Sequence, residues 1–325
     1  MSRTLFVHLG PRKTGTSALQ HVMRNHDNSI VIYPKVGLWG DGSHHGLVFR
    51  FLDVDRSGKG PKEDIGTLFR AIREETEKSD HDILISSEAL RTGTDIGGFV
   101  EALRPYVGGD STAVELLVTY REHFARAASW YNHRIRAVGE KRSPDEFLND
   151  LASNLCYEPL LTELGKLGFA ISMLNYDPPQ STVARFLAHI GFPPSSIPEV
   201  EAKRISLSPR GMIIKLAINN LIADKQLNGE CYRKFRRLPD AHSPSQFIFG
   251  PEAAARAEEV YRPDREFLRS RFDVQAEPPF TDAQSNALCL LPEEYDEIAA
   301  ITRSMGQLGS DILRYVAPYM RTRGC

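Results

Sequence analysis

The sequence predicts an α/β protein of three layers, with helices on both faces of a mostly parallel central sheet and a mostly helical C-terminal region. Three observations predict it. Strand-like runs recur at 4–9, 29–33, 82–86, 114–120 and 169–174, short and rich in branched apolar residues. Helical patterns lie between most of them, an alternation that folds as right-handed strand–helix–strand crossovers. Beyond Gly191 the strand signal fades and helical runs take over.

The first run, "TLFVHL", is apolar enough for a central strand, and Gly10 and Pro11 end it. Helix formers from Thr16 onward predict a helix over 16–26. After the second strand come two polar, glycine-rich insertions, "WGDGSHHG" (39–46) and "DRSGKGPKED" (55–64), with a short apolar run, 47–54, between them. Helices are expected at 63–78, 98–106 and 122–138, around the strands at 82–86 and 114–120. A pair of helices within 144–167 leads to the last strand, and a helix at 181–190 follows it. The proline- and serine-rich "GFPPSSIPEV" reads as a connection, after which helices are expected at 209–223, 251–272 and 292–319. The expectation is one domain over 1–325. Its α/β core, 1–191, carries the ligand site, and a mostly helical region, 192–325, packs on that core. The chain has no internal repeat and no long low-complexity tract.

At 325 residues there is enough chain for a sizeable core, and 41% hydrophobic with 25% charged residues excludes a disordered chain or a coiled coil. The formal charge of −2 gives no reason to expect a nucleic-acid partner, so a phosphate site must be built from local basic residues. The four cysteines (Cys156, Cys231, Cys289 and Cys325) are widely spaced with no C-x-x-C, which fits free thiols in a reducing compartment. The predicted fold starts at Thr4, leaving no room for a signal peptide, and no apolar run approaches the ~18 residues of a spanning helix. A cytoplasmic protein without a membrane span is expected; its oligomeric state is left open.

A strand, a glycine loop and a helix N-terminus make an anion site, because unpaired N–H groups and the helix dipole point at the loop. The phosphate-loop pattern G-x-x-x-x-G-K-[ST] places a lysine after the second glycine. "GPRKTGTS" (10–17) fits it except there: Thr16 holds that slot, and Lys13 sits inside the loop. Ligands of a parallel sheet gather at the carboxyl ends of its strands, and this loop is the first such place.

"PRKTGTS" resembles the 5′-phosphosulfate-binding loop of sulfotransferases that use 3′-phosphoadenosine 5′-phosphosulfate (PAPS), a family commonly showing P-K-[ST]-G-T-[ST]. Arg12 is an extra residue between the proline and the lysine, as in several carbohydrate-type members. The resemblance implies a fold like that of the P-loop NTPases, with PAPS as sulfuryl donor and 3′-phosphoadenosine 5′-phosphate as product. It implies that Lys13 contacts the 5′-phosphate and the bridging oxygen. Arg12, the N–H groups of Thr14, Gly15, Thr16 and Ser17, and the hydroxyls of Thr16 and Ser17 would hold the phosphate. The family's 3′-phosphate element is an arginine at a strand end and a serine eight residues later; here these are Arg121 and Ser129, in "VTYREHFARAASW". Eight residues is about two helical turns, so such a serine can share the helix face beneath the strand end.

Other stretches resemble bacterial members. "DILISSEAL" (82–90) is similar to their strand ending in S-x-E. "RISLSPRG" is similar to N-x-S-L-S, with Arg204 where asparagine is common, and "YRPDREFL" to Y-x-x-D-N-x-x-L, with Arg265 in place of asparagine. The vertebrate cytosolic R-K-G-x-x-G-D-W loop is absent. A bacterial-type enzyme acting on a saccharide, glycolipid or small-metabolite acceptor, at a hydroxyl or an amine, is the expectation.

Sulfuryl transfer needs a cation on the leaving oxygen, donors on the sulfuryl oxygens and a base for the acceptor proton. Lys13 suits the first role. Two kinds of base are on offer: Glu88, at the end of the third strand, and His44 or His45, in the 39–46 insertion. Imidazole has the better pKa at neutral pH, whereas glutamate needs burial to raise its own. The sequence leaves both open, with a slight lean to the histidines, because the glycine-rich 39–46 insertion can close on the acceptor and exclude water. No metal is expected, since adjacent loop histidines cannot easily share one ion. The rivals are a P-loop-type kinase, which would want lysine at position 16, and an inactive nucleotide- or glycan-binding relative.

Overall fold

The computed structural model describes residues 3–54, 61–176, 179–198, 206–235, 238, 248–274 and 288–320. Among these, five strands form one sheet: β1 (Thr4–Leu9), β2 (Val31–Ile32), β3 (Asp82–Ser86), β4 (Ala113–Tyr120) and β5 (Ala170–Asn175). The order is β2-β3-β1-β4-β5 and every pairing is parallel. The helices are α1 (Thr16–Arg24), α2 (His45–Phe51), α3 (Ile65–Thr76), α4 (Ile96–Leu103), α5 (His123–Ala137), α6 (Pro144–Leu151), α7 (Glu158–Gly165), α8 (Pro179–His189), α9 (Pro209–Leu221), α10 (Lys225–Phe235), α11 (Pro251–Arg271), α12 (Pro292–Thr302) and α13 (Gly306–Val316). Side chains at their N-caps explain several starts: Asp64 accepts from Thr67 N, Asp95 from Gly98 N and Ser208 from Gly211 N, while Ser143 and Glu146 form a capping box.

The strands divide their side chains between two faces. Leu5, Val7 and Leu9 of β1, Ile83 and Ile85 of β3, and Leu116 and Val118 of β4 pack with α3, α4 and α7 in one apolar cluster. The alternate residues, Phe6, Leu84 and Leu117, pack with α1 and α8 in another. This period-two split is what a parallel sheet covered on both sides requires. The architecture is therefore the expected three-layer α/β/α arrangement with helices following it.

Contact density divides the chain into two compact units, neither continuous in sequence. The first holds Met1–Glu122, Tyr157–Ala202 and Asp264–Ala276; the second holds His123–Cys156, Lys203–Pro263 and Glu277–Cys325. The expected boundary at 191 does not coincide with this division. α5 and α6 belong with the C-terminal helices because Phe124, Tyr131, Ile135 and Phe147 share a core with α9 and α11, a partnership that helical periodicity alone does not disclose. In that second core α9 is buried from Arg210 through Asn219, so it is apolar nearly all round. The division falls within α11, at Pro263, where the helix lacks one N–H donor.

Other differences from the expectation have local causes. β2 shrinks to two residues, because Asn28 takes a left-handed φ of 63° and its side chain accepts from Tyr33 N beyond the strand. A helix, α2, begins at His45 inside what reads as a loop, and buries Leu47 and Val48. The polar run of α10 hides a helix that buries Asn228, Cys231 and Phe235. The last helical stretch breaks into α12 and α13 around Gly306, at φ 58°. Residues 55–60 of the second insertion, Arg204 and Cys325 lie outside the described residues. Among the described residues no helix is long and apolar enough to cross a membrane.

Candidate functional site

β1 lies between β3 and β4, and the chain leaves it toward β2 on one side and returns through β4 on the other. The carboxyl end of β1 is thus the point where strand order reverses, the usual place for a ligand in an open parallel sheet. Three segments meet there from adjacent parallel strands: the loop 10–15 after β1, Ser87 and Glu88 after β3, and Arg121 after β4.

The loop is built around two glycines. A Cβ on Gly10 would stand 2.3 Å from Thr16 Oγ1, so only glycine lets the Thr16 side chain fold back over the strand end. Gly15 is the N-cap of α1 at φ 84°, and a Cβ there would lie 3.0 Å from the Tyr176 ring. A glycine N-cap brings no side chain, so no capping group competes with a ligand for the first N–H groups of α1. Thr14 is buried, its hydroxyl donating to Pro11 O at 2.6 Å, which pins the loop from within. Lys13, between them, stands at φ 71°, a left-handed conformation that costs a lysine roughly 1–2 kcal/mol. Strain of this kind persists where the surroundings enforce it, and it concentrates at ligand clamps. Gly15→Ala should combine the backbone strain with the Tyr176 clash and lower stability by about 1–2 kcal/mol; an unchanged thermal midpoint would show the loop free to relax.

Arg121 closes the loop from the β4 side. Its Nη1 donates to Lys13 O at 2.9 Å, and its guanidinium lies over the Tyr176 ring, 4.5 Å from the centroid. Tyr176 follows β5 directly and donates its N–H to Tyr120 O at 2.6 Å. Sequence reasoning passed over Tyr176, although an aromatic residue at the carboxyl end of a parallel strand is itself a signal. Ser129 is half-buried on α5, in the second compact unit, whereas Arg121 belongs to the first.

Glu88 faces the loop from the β3 side. Burial raises its carboxyl above the usual glutamate range, against the opposing pull of Lys13 and Arg12 and a hydrogen bond from the Thr16 side chain. The sequence asks whether burial exists to lift a glutamate here. It does.

The two histidines part company. His44 is fully buried and both ring nitrogens are engaged, Nδ1 accepting from Ser86 N at 3.1 Å and Nε2 donating to Pro34 O at 2.9 Å. Its own N–H donates to Ser86 O at 2.8 Å. Because β2 stops at Ile32, the edge of β3 at Ser86 has no strand beside it, and His44 supplies the missing donor and acceptor. Desolvation lowers its pKa to about 4. His44 is therefore a structural edge piece with no nitrogen left to take a proton from a substrate. His45 is half-buried at the start of α2, its Nδ1 2.7 Å from Ser87 Oγ, and it packs against Trp39 and Phe49 with centroids 5.6 Å away in each case. Burial lowers its pKa, with Asp41 opposing and Arg12 adding to the shift.

The 39–46 segment is tied down. Tyr33 Oη donates to Gly42 O at 2.7 Å, Trp39 N to Ser43 O at 2.8 Å, and Arg24 Nη1 to Gly40 O. Beneath the site, on the α1 and α8 face, His8 Nδ1 lies 2.9 Å from Ser86 Oγ, which also accepts from Gln20 Nε2 at 3.1 Å. His8 is buried and its pKa falls to about 3 by desolvation. This buried group connects β1, α1 and β3, and no single-residue motif announces it.

Among the described residues no group of three or more His, Cys, Asp or Glu could hold a metal ion. The arrangement is a cradle of backbone donors with a strained lysine inside it, an arginine on one flank and a desolvated carboxylate on the other. It can bind an anionic group, neutralise charge growing on it and accept a proton beside it. Compared with family models, with curated proteins and with solved structures, the chain matches none, and the functional reading rests on the geometry of its own site.

Proposed function

We propose that the protein is a sulfotransferase that moves a sulfuryl group from PAPS to a hydroxyl or amine of a saccharide, glycolipid or small-metabolite acceptor. The observation that carries this reading is the pairing across the loop: Lys13 inside an anion cradle, facing a carboxylate, Glu88, that burial has made more basic. A phosphate loop built for nucleotide kinases would put its lysine at position 16, where this chain has a buried threonine. The thiols of Cys231 and Cys289, which form no disulfide, fit a cytoplasmic setting.

In this reading Thr14 to Ser17 and Lys13 hold the donor's 5′-phosphate, and Arg121 binds the 3′-phosphate with its bidentate fork. Glu88 takes the proton from the acceptor O–H or N–H as the new bond to sulfur forms. The bond from sulfur to the bridging oxygen breaks, its electron pair stays on the 5′-phosphate, and Lys13 faces the charge that results. The base is therefore Glu88, because His44 has both nitrogens committed and His45 turns Nδ1 to Ser87.

Turnover of radiolabelled PAPS against a panel of acceptors tests the activity directly. Lys13→Ala should lower kcat by about 10²–10³, the size of losing one electrostatic stabiliser, with a much smaller effect on donor affinity. Loss of affinity alone, with kcat intact, would place Lys13 in uniform binding.

A further inference from the structure

We propose that Tyr157 is a positioning residue of the donor site, one that holds Arg121 in register with the phosphate loop, and that Asp264 holds Tyr157 in turn. The proposal rests on the sulfotransferase reading, because it concerns the group assigned there to the 3′-phosphate. Tyr157 is buried at the N-cap of α7, far in sequence from either strand end. Its hydroxyl donates to Arg121 O at 2.9 Å and accepts from Arg121 N at 2.9 Å, so one oxygen satisfies both backbone groups of that residue. Arg121 sits where β4 has ended and the sheet no longer fixes its backbone. The phenol does that work instead.

The bonds continue on both sides. Toward the loop, Arg121 Nη1 reaches Lys13 O at 2.9 Å. Behind, Tyr157 N donates to both carboxylate oxygens of Asp264, at 2.9 and 3.0 Å, and Glu158 N donates to Asp264 Oδ1 at 2.7 Å. A buried carboxylate against the first N–H groups of α7 is matched to the positive end of the helix dipole. Asp264, Tyr157, Arg121 and Lys13 thus form one continuous series from α11 to the phosphate loop. It also gives the "YRPDREFL" stretch a role that needs no contact with the ligand: its aspartate acts through the tyrosine.

Calorimetry with the full chain tests this, using 3′-phosphoadenosine 5′-phosphate and adenosine 5′-phosphate as probes. The wild-type chain should prefer the first. Tyr157→Phe should reduce that preference by about tenfold, the equivalent of one well-placed charged hydrogen bond, with affinity for adenosine 5′-phosphate little changed. Asp264→Asn, which keeps one carbonyl oxygen toward α7, should act in the same direction by less, and it carries the test should Tyr157→Phe fail to fold. In an Arg121→Ala background Tyr157→Phe should alter the ratio no further, since the two act as a unit. A wild-type preference that survives intact in both Tyr157→Phe and Asp264→Asn overturns the proposal and leaves the donor reading standing. Equal affinities in the wild type overturn the donor reading and this proposal with it.

Discussion

Glu88→Gln should lower turnover by about 10²–10⁴, the range for removing a general base, while leaving the folded protein at least as stable as the wild type at neutral pH. The two halves of this result have one cause. Burial raises the Glu88 carboxyl above its unfolded value, so between the two pKa values the native state holds a proton that the unfolded state has released. Stability from this group is full below the unfolded pKa and is lost as pH rises through the folded one. At neutral pH the native chain carries a desolvated charge that glutamine would remove, a trade of stability for activity common at catalytic positions. In the wild type the rate should rise with pH along a limb set above the ordinary glutamate range, and the variant's residual rate should lack that limb. Steady-state rates from pH 4.5 to 8 and urea melts at pH 7 check both halves. A Glu88→Gln enzyme with near-normal turnover, alongside an inactive His45→Gln enzyme, would move the proton to the histidine.

Acidification should destabilise the protein strongly as its buried histidines are called on to take up protons. His8 and His44 are buried with pKa values near 3 and 4, against 6.5 when unfolded. For a lowered histidine pKa the unfolded state binds the proton first, so stability is full above about pH 6.5 and falls as pH drops toward 4. At about 1.4 kcal/mol per pKa unit, the pair removes several kcal/mol over that window, a large part of the roughly 5–15 kcal/mol of a typical domain. Glu88 works in the opposite sense but is a single group. Urea midpoints measured from pH 7.5 to 4.5 should fall steeply below pH 6. A flat profile down to pH 5 would mean that these imidazoles gain protons without unfolding. His8→Gln should flatten the slope by about one proton, because the remaining shift belongs to His44.

Much of the architecture was legible because it is written in short-range chemistry. β1 and β3 match their apolar runs to the residue, β4 starts one residue earlier, and β5 is displaced by one residue at both ends. The glycine loop after β1 was legible for the same reason, since two glycines, a lysine and a helix start are neighbours in sequence. The difference between the candidate bases was not. His44 and His45 are adjacent letters, and what separates them is the end of β2 twelve residues upstream, which leaves an edge that His44 must finish. Glu88 needed burial to qualify, and burial depends on the loop folding over it from β1. Tyr176, Tyr157 and Asp264 were missed because each acts through a partner more than thirty residues away. The division of the chain stayed hidden because α5 and α6 carry the same helical period whichever core they enter.

Asp264 joins the sheet-bearing unit from a position 107 residues beyond Tyr157. A ribosome adding about 5–20 residues per second needs roughly 5–20 s to cover that distance. Once β5 has been made, every strand of the sheet exists for the rest of that interval, yet the first N–H groups of α7 wait for their carboxylate and the phenol beside Arg121 has no anchor. The newly made chain therefore has its glycine loop early and its brace late. The bracing of Arg121 arrives only once α11 has been made, and the growing chain passes that interval without it.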